Sequence, residues 1–277
     1  MATINVVAPP AVEPVTLAEA KLHCRVDVDA DDALIESLIT VARQHCETFT
    51  GRAFVTQTIQ YDLQRWPRRR AIYLPRPPLQ SITSVTWWDE EGNDTVLTAG
   101  TDYLVDTAPE PGTVLLPYSR YWPTEPLYPV HPIRVEYVAG YPQVDPIDHT
   151  GEAVGTGDGT ETTFTLENTP IVSGSETIYV DGVAVPAADY TLDLTTGELV
   201  FAAAPGAFAI TADYTKAADL RANVPEYLKA AIKLCVGNWY ENREEVLPAG
   251  HIGKELPLGA QALLWQERVF WAEELNR

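Results

Sequence analysis

Two helical segments, one near each end of the sequence, constrain the fold more than any other feature of this chain. Between them lies a long stretch with the alternating pattern of β-strands. The C-terminal segment, from Pro225 to about Asn242, carries one apolar stripe, made of Leu228, Ile232, Cys235 and Trp239. A single helix cannot bury such a stripe alone, so it must pack against the N-terminal helices. The two ends of the chain therefore form one unit, and part of the middle is inserted.

The N-terminal helices have clear boundaries. Thr16 and Glu19 form a capping box, which predicts a helix from Leu17 to about Cys24. A second helix is predicted from about Asp31 to Thr50, with Gly51 as its left-handed C-terminal cap. Its predicted core stripe is Leu34, Leu38, Val41, His45 and Thr48, with Ile35, Ala42 and Phe49 beside it. The residues before Pro14 are interpreted as a leader rich in proline and alanine, and they lack the features of a signal peptide.

Strands dominate the middle of the chain, in two compositionally different stretches. Short alternating segments separated by prolines fill residues 53–141. Residues 142–224 hold 13 acidic and 2 basic residues, a net charge of −11, and consist of successive hairpins with turn signals such as Asp181-Gly182. A final helix is predicted from Leu258 to about Leu275.

The predicted fold class is therefore α+β. Three to four helices and a small antiparallel β region form a discontinuous scaffold, residues 1–141 and 224–277. Residues 142–223 are predicted to form an inserted antiparallel β domain of sandwich type.

The net charge of −20 limits the function. So acidic a surface repels duplex DNA and argues against a sequence reader, although it suits a wall past which DNA slides. No apolar run is long enough to cross a bilayer. We expect the chain to remain in the cytosol of the cell that makes it.

No catalytic motif of the hydrolase, zinc-protease, P-loop or dinucleotide-binding type occurs in the sequence. The three cysteines are expected to be reduced core residues, and the adjacent pairs His23-Cys24 and His45-Cys46 cannot chelate zinc well from a helix. The glycines at 155, 157 and 159 precede a predicted strand and not a helix, so we interpret them as a turn and not as a nucleotide-binding loop. We predict a protein that is not an enzyme and needs no cofactor or metal.

One basic cluster stands out against this acidity, and it consists of Arg65, Arg68, Arg69, Arg70 and Arg76. It could contact DNA phosphates, or it could bind the acidic face of a neighbouring subunit, which the charge balance favours. The aromatic pairs Trp87-Trp88 and Tyr121-Trp122 are each expected to place one ring in the core and to leave the other for an interface.

Several segments of the sequence resemble one family. They are Pro14–Lys21, Arg25–Asp27 with the acidic run after it, Phe49–Arg52, Leu74–Val85, Val135–Tyr141, Val224–Ile232 and Trp239–Glu244. Together they resemble the head-to-tail connector (adaptor) proteins of tailed bacteriophages, over roughly residues 14–141 and 224–270. Family members pass from Gly140-Tyr141 to Val224-Pro225 through a short loop, whereas about 80 residues intervene here.

This resemblance implies a structural component of the virion neck, assembled in the host cytoplasm as a ring of about twelve copies. The ring would lie between the portal protein and the stopper or tail-terminator protein, with DNA as passing cargo and no membrane contact. The C-terminal helix is more apolar than a monomer needs, and we predict that it binds the portal. The candidate portal contacts are Leu263, Leu264, Trp265, Val269, Phe270 and Trp271.

An alternative function is a β-sandwich binding module on the particle surface that recognises a glycan or a host component. Exposed aromatic side chains in the insert would favour this alternative. Most aromatic residues there fall at alternating strand positions, however, which predicts that they lie in its core.

Overall fold

The computed structural model describes residues 2–218, 221, 223–242 and 257–269 of the 277-residue chain. Within these ranges the chain forms four helices and fifteen strands, an α+β fold as predicted. The helices are α1 (Leu17–Cys24), α2 (Asp32–Thr50), α3 (Glu226–Glu241) and α4 (Leu258–Trp265). The strands are β1 (Thr3–Ala8), β2 (Gln57–Leu63), β3 (Ala71–Tyr73), β4 (Leu79–Trp88), β5 (Asp94–Val96), β6 (Leu104–Asp106), β7 (Thr113–Leu115), β8 (Ile133–Ala139), β9 (Ile147–Thr156), β10 (Thr163–Thr165), β11 (Thr177–Val180), β12 (Val183–Ala184), β13 (Tyr190–Leu192), β14 (Glu198–Phe201) and β15 (Ala209–Lys216).

The chain divides into two compact units. The first, the scaffold, comprises residues 1–142 and 220–277, and the second, the insert, comprises residues 143–219. These boundaries lie within a few residues of the domain limits that the sequence predicts. Asn223 Nδ2 donates to the Pro142 carbonyl at 2.9 Å, so the two ends of the interrupted scaffold meet directly.

The four helices of the scaffold share one apolar core. It combines residues of α2 such as Ile35 and Ile39 with Leu228 and Ile232 of α3. Cys46 and Cys235 are buried free thiols in this core, as predicted. The capping box at Thr16 is present: Thr16 N donates to the Glu19 carboxylate at 2.7 Å, and Glu19 N donates to the Thr16 hydroxyl at 3.1 Å.

The buried face of α2 differs from the predicted stripe. Leu34 and Val41 are exposed, whereas Ile35 and Ala42, predicted beside the stripe, are buried. The buried face also includes Ile39, Arg43, Cys46, Glu47 and Thr50. Arg43 and Glu47 are charged, and charged side chains are seldom fully buried unless they are paired. Burial is possible because Arg43 pairs with Glu47 at 2.9 Å and with Glu13 at 2.6 Å.

Two antiparallel sheets complete the scaffold, in the strand orders β1-β2-β8-β4-β5 and β3-β7-β6. Their core contains large side chains such as Tyr61 and Tyr137, both fully buried, and Tyr137 donates to the Pro75 carbonyl at 2.6 Å. Strand β1 falls in the segment interpreted as a leader rich in proline and alanine. It carries no clear alternation because it is mostly exposed, and its pairing with the neighbouring strand β2 orders it.

The C-terminal helices differ from prediction at their ends. Pro225 precedes the first residue of α3 and does not occupy its first position. Helix α4 ends at Trp265, ten residues before the predicted end, and residues 270–277 lie outside the described part of the chain. After the last turn of α4 the chain returns to α2, and Val269 N donates to the Thr50 carbonyl at 2.7 Å.

The insert is a small β-sandwich. One sheet has the order β10-β14-β13 and the other β12-β11-β15-β9. Side chains from both sheets meet in one core, including Phe164, Leu199, Ile178 and Ile210. Asp181 and Gly182 both have positive φ, as the predicted hairpin turn requires. Strand β9 was missed because it is mostly exposed and carries few apolar residues; it forms by pairing with β15, which brings Ile147 opposite Lys216.

We predict that the scaffold folds without the insert. Replacing residues 143–219 with a short Gly-Ser linker should preserve the helical core, because Asn223 already contacts Pro142 and the closing loop is short. Hydrogen exchange of α2 and α3 amides measures this, with the intact chain as reference. Loss of protection throughout α2 and α3 would show that the insert is part of the same folding unit.

Arg43→Met should destabilise the scaffold by about 3–5 kcal/mol, because it leaves the Glu47 carboxylate buried without its cation. Urea unfolding followed by tryptophan fluorescence gives the free energy. The double variant Arg43→Met/Glu47→Gln should recover part of the loss in stability, since neither of these two side chains is then charged.

As a control, Glu226→Gln breaks the ion pair of an exposed carboxylate and should change the stability by less than about 1 kcal/mol. An unchanged midpoint for Arg43→Met would contradict the prediction.

Candidate assembly surfaces

A clamp centred on Arg52 holds the C-terminal segment against the scaffold. The Arg52 guanidinium contacts the carboxylates of Glu110 at 2.6 Å and Glu267 at 3.1 Å, and its Nε donates to the Glu267 carbonyl at 2.7 Å. Arg52 is 8% exposed. Burial, together with the nearby Glu267 carboxylate, raises the pKa of Tyr227. The segment that follows α4 is therefore an integral part of the scaffold.

The inner face of α4 belongs to the protomer core. Ala260 and Leu264 are fully buried, and Leu263 is partly buried against the same core. Leu264 was among the predicted portal contacts, and its burial corrects that assignment, because a side chain inside the protomer cannot present a surface to a partner. The predicted contacts Phe270 and Trp271 lie outside the described residues.

The outer face of α4 remains apolar and accessible. Trp265 is 53% exposed, and Leu258, at the start of the helix, is 65% exposed. The Trp265 ring lies 6.2 Å from that of Phe49. The Arg268 guanidinium lies 5.2 Å from the Phe49 ring and 5.4 Å from the Trp265 ring. These contacts fix the orientation of Trp265 while leaving half of its surface open.

The structure brings four of the five candidate arginines together. Arg65, Arg68, Arg69 and Arg70 are exposed on the loop between β2 and β3. Arg76 is separate: it is half-buried near Tyr137, where burial raises the pKa of the tyrosine hydroxyl and the charge of Arg76 opposes that shift. Only its proximity in the sequence had grouped it with the others.

Stacked tryptophans fix the arginine loop. The rings of Trp66 and Trp122 lie 4.8 Å apart with an interplanar angle of 5°. Trp122 Nε1 donates to the Arg69 carbonyl at 2.9 Å, and Arg70 Nη2 donates to the Pro117 carbonyl at 2.5 Å. The loop after β7, residues 116–132, is thereby attached to the arginine loop. This pairing was invisible in the sequence because its partners are more than 45 residues apart.

The loop after β7 also presents aromatic side chains to solvent. Tyr118 is 97% exposed and Tyr121 is 81% exposed. Trp87 is a core residue, and Trp88 lies under the Arg134 guanidinium at 5.3 Å. Each aromatic pair that the sequence singled out thus divides between a more buried and a more exposed ring. Arg120, between the two tyrosines, was not among the predicted site residues. The sequence feature that could have identified it is its position inside a proline-rich loop.

Two shallow grooves flank this loop. One, of about 310 Å³, is lined by residues that include Trp87, Leu97 and Arg120. The other, of about 410 Å³, is lined by residues that include Trp88, Tyr128 and Arg134. Across the described ranges, no three His, Cys, Asp or Glu side chains converge as a metal site would require. No helix in that part of the chain has the length and apolar character needed to cross a bilayer.

Comparisons with known proteins agree with the family that the sequence resembles. The family model described as phage gp6-like head-tail connector protein matches residues 14–95. That range runs from the first capping box to strand β5 and includes the arginine loop. A search of curated proteins found no match.

Solved structures with the same fold come from gene transfer agent (GTA) particles. A chain in the virion of a native GTA particle has a TM-score of 0.57 and 16% identity. A chain in the neck of a native GTA particle computed with C12 symmetry has a TM-score of 0.56 and 15% identity, and one in the neck of an empty particle computed with C6 symmetry has 0.54 and 18%. Each comparison covers 97% of this chain and 96% of the other.

The insert is therefore not peculiar to this chain. Because the similarity covers 97% of the sequence, it must include most of residues 143–219, and the GTA chains are of comparable length. Residues 14–95 carry the sequence pattern of the phage gp6-like head-tail connector family, on a fold shared over nearly the whole chain with proteins of the GTA neck.

Proposed function

We propose that this chain is a structural adaptor in the neck of a tailed-phage-like particle. Its copies form a ring between the portal and the stopper or tail-terminator protein, around the channel through which DNA passes. The observation that carries the proposal is the connector family match over residues 14–95, on a fold shared with chains of GTA necks. The C12 symmetry of one such neck supports a ring of twelve copies.

The charge of the chain suits this role. Twelve copies with a formal charge of −20 each carry −240. DNA that meets carboxylates instead of a basic groove is repelled and does not adhere, so it can move through the channel. The same charge keeps the unassembled subunit soluble in the host cytoplasm before it joins the virion.

The outer face of α4 is the proposed portal contact. Trp265 is held in place by Phe49 and Arg268 and is still half exposed. A rigid aromatic side chain that keeps half its surface accessible has the character of an interface anchor. Residues 266–269 then lead back to the scaffold through the Arg52 clamp. Phe270 and Trp271, which follow in the sequence, remain proposed portal contacts.

Most aromatic residues of the insert are used for packing, which argues against the alternative of a glycan-binding module. Phe164, Phe201 and Tyr214 lie in its core, whereas Phe208 is 48% exposed. Carbohydrate binding through aromatic stacking needs accessible rings, and most of the insert's rings are used for packing.

Ring formation tests the proposed function. The purified chain, alone or mixed with the portal protein of the same particle, should assemble into closed rings of about twelve subunits, a number that matches the symmetry of the C12 GTA neck. Mass photometry gives the copy number, and negative-stain electron microscopy shows whether the assemblies are closed. A chain that stays monomeric both alone and with the portal would contradict the proposal.

Trp265→Ala should weaken portal binding about 30-fold, which corresponds to the loss of about 2 kcal/mol expected for a central aromatic anchor. The chain truncated after Val269 tests Phe270 and Trp271 while keeping the Arg52 clamp, whereas a deletion from Leu258 would remove core residues. Surface plasmon resonance on immobilised portal measures the affinity.

Leu22→Ala is the matched control for the portal experiment, since Leu22 is 83% exposed on α1 and lies away from α4 in the sequence. It should leave portal affinity unchanged. Thermal unfolding of each variant verifies that the scaffold is intact. Full portal affinity in both Trp265→Ala and the truncated chain would rule out this surface.

A further inference from the structure

A second surface of the scaffold, which we name the arginine patch, combines two loops. It consists of Arg65, Arg68, Arg69 and Arg70 from the loop after β2, and Tyr118, Arg120 and Tyr121 from the loop after β7. Among the described residues, Arg120 is the member that faces a carboxylate, that of Asp102 at 3.9 Å. Arg70 donates to the carbonyls of Leu116 and Pro117. Within the described part of the chain, the salt bridges include none from Arg65, Arg68, Arg69 or Arg70, which is unusual in a chain with 39 acidic and 19 basic residues.

The patch is held in a defined shape. Trp66 and Trp122 stack beneath it, and the bond from Trp122 to the Arg69 carbonyl joins the two loops. Strands β3 and β7, which continue these loops, pair directly, with Ile72 opposite Val114. Such a surface loses little conformational entropy when it binds, because its backbone is already ordered.

We propose that the arginine patch binds a carboxylate-rich surface of the neighbouring copy of this chain. This proposal rests on the ring proposed above and names the surface that closes it. Residues 64–70 and 117–131 contain five arginines and one glutamate, a net charge of +4, so the other 255 residues carry −24. A second copy therefore offers this patch a large excess of carboxylates outside its own patch. Arginine and tyrosine are also the side chains enriched at protein interfaces.

Passing DNA is the competing occupant. Phosphates would satisfy the arginines equally well, but the long-range field of a −20 chain opposes the approach of DNA to any one patch. The neighbouring copy is also acidic, so the same field repels it. In a ring, however, its other contacts hold it beside the patch. Charge and proximity thus favour the neighbouring copy.

This contact is head-to-tail. The patch carries five cations, so two patches repel each other, and the patch of one copy must meet a different face of the next. Head-to-tail contacts form a ring when the rotation between successive copies closes, as the proposed ring of about twelve copies requires. A copy that lacks the patch keeps its acidic face, so it can join the end of a growing assembly but cannot extend it.

The test compares two double variants with the same change in net charge. Arg65→Glu/Arg68→Glu reverses two patch residues, and Arg25→Glu/Lys216→Glu reverses an exposed cation and a half-buried one outside the patch. Under the conditions in which the wild-type chain assembles, with portal if needed, the patch variant should show at least ~100-fold weaker subunit association by sedimentation velocity. The control should stay within ~3-fold of wild type. Raising the salt from about 50 mM to about 500 mM should weaken wild-type association and narrow the difference in affinity between the wild type and the patch variant.

Mixing gives a second measurement. Patch variant added to wild-type chain should yield short open arcs in electron micrographs, whereas the control variant should enter closed rings. Thermal unfolding of both variants checks that each is folded. Binding to a fluorescent duplex of about 30 base pairs is measured in parallel.

The outcomes separate the two proposals. If the wild-type chain never assembles, the adaptor ring and the patch contact are both wrong. If the wild type assembles and the patch variant does so equally well, the patch contact alone is wrong. Normal assembly with loss of duplex binding would identify the patch as a DNA contact instead.

Discussion

The scaffold depends on a buried ion pair on helix α2, between Arg43 and Glu47. Glu47 is 2% exposed, and its carboxylate accepts from Arg43, from the backbone N–H of Phe54 at 2.8 Å and from Gln57 Nε2 at 3.0 Å. Arg43 also binds Glu13, which lies before the first helix. Burial raises the pKa of Glu47, and the adjacent Arg43 opposes that shift. One side-chain network thus joins the N-terminal segment, α2 and the beginning of the central sheet, and a buried pair of this kind is tolerated only where hydrogen bonds satisfy both partners.

Around this network the chain closes on itself at the C-terminal end of α2. Arg52 binds Glu110 from the sheet region and Glu267 from the C-terminal segment, and Val269 bonds back to Thr50. Gly140 passes so close to Val55 that a Cβ would lie 2.4 Å from its carbonyl oxygen, which leaves no room for a side chain. Asn223 meets Pro142 just beyond this point. An insert can be accommodated here because its two ends emerge together, and the entropy of closing the loop grows only slowly with its length.

The scaffold presents two surfaces of different chemistry. The outer face of α4 is apolar and centred on one half-exposed tryptophan, whereas the arginine patch is cationic and supported by a stack of two tryptophans. Surfaces that differ in this way discriminate between partners, because an apolar anchor binds a charged target poorly and a cationic patch binds an apolar target poorly. The acidic insert adds a third surface, and within its sandwich Glu152 is bound by Tyr214, Asn168 and the backbone of Glu167. Partial burial opposes ionisation of Glu152, and these hydrogen bonds outweigh it, so its pKa is lowered.

The sequence by itself determined the elements whose signals are local. The capping box at Thr16, the glycine cap at residue 51, the turn at Asp181-Gly182 and most strands with alternating apolar residues need only neighbouring residues, and each was predictable. The interruption of the scaffold was also predictable, because a helix with one apolar stripe requires a partner. Tertiary structure alone decided the buried face of α2, since the burial of Arg43 and Glu47 depends on Glu13 and Phe54, which hydrophobic patterning does not connect to them. It also ordered strands β1 and β9, whose hydrogen-bonding partners lie far along the chain. It separated Arg76 from the arginine patch and added Arg120 for the same reason: side chains meet through contacts between distant segments, and spacing in the sequence does not encode those contacts.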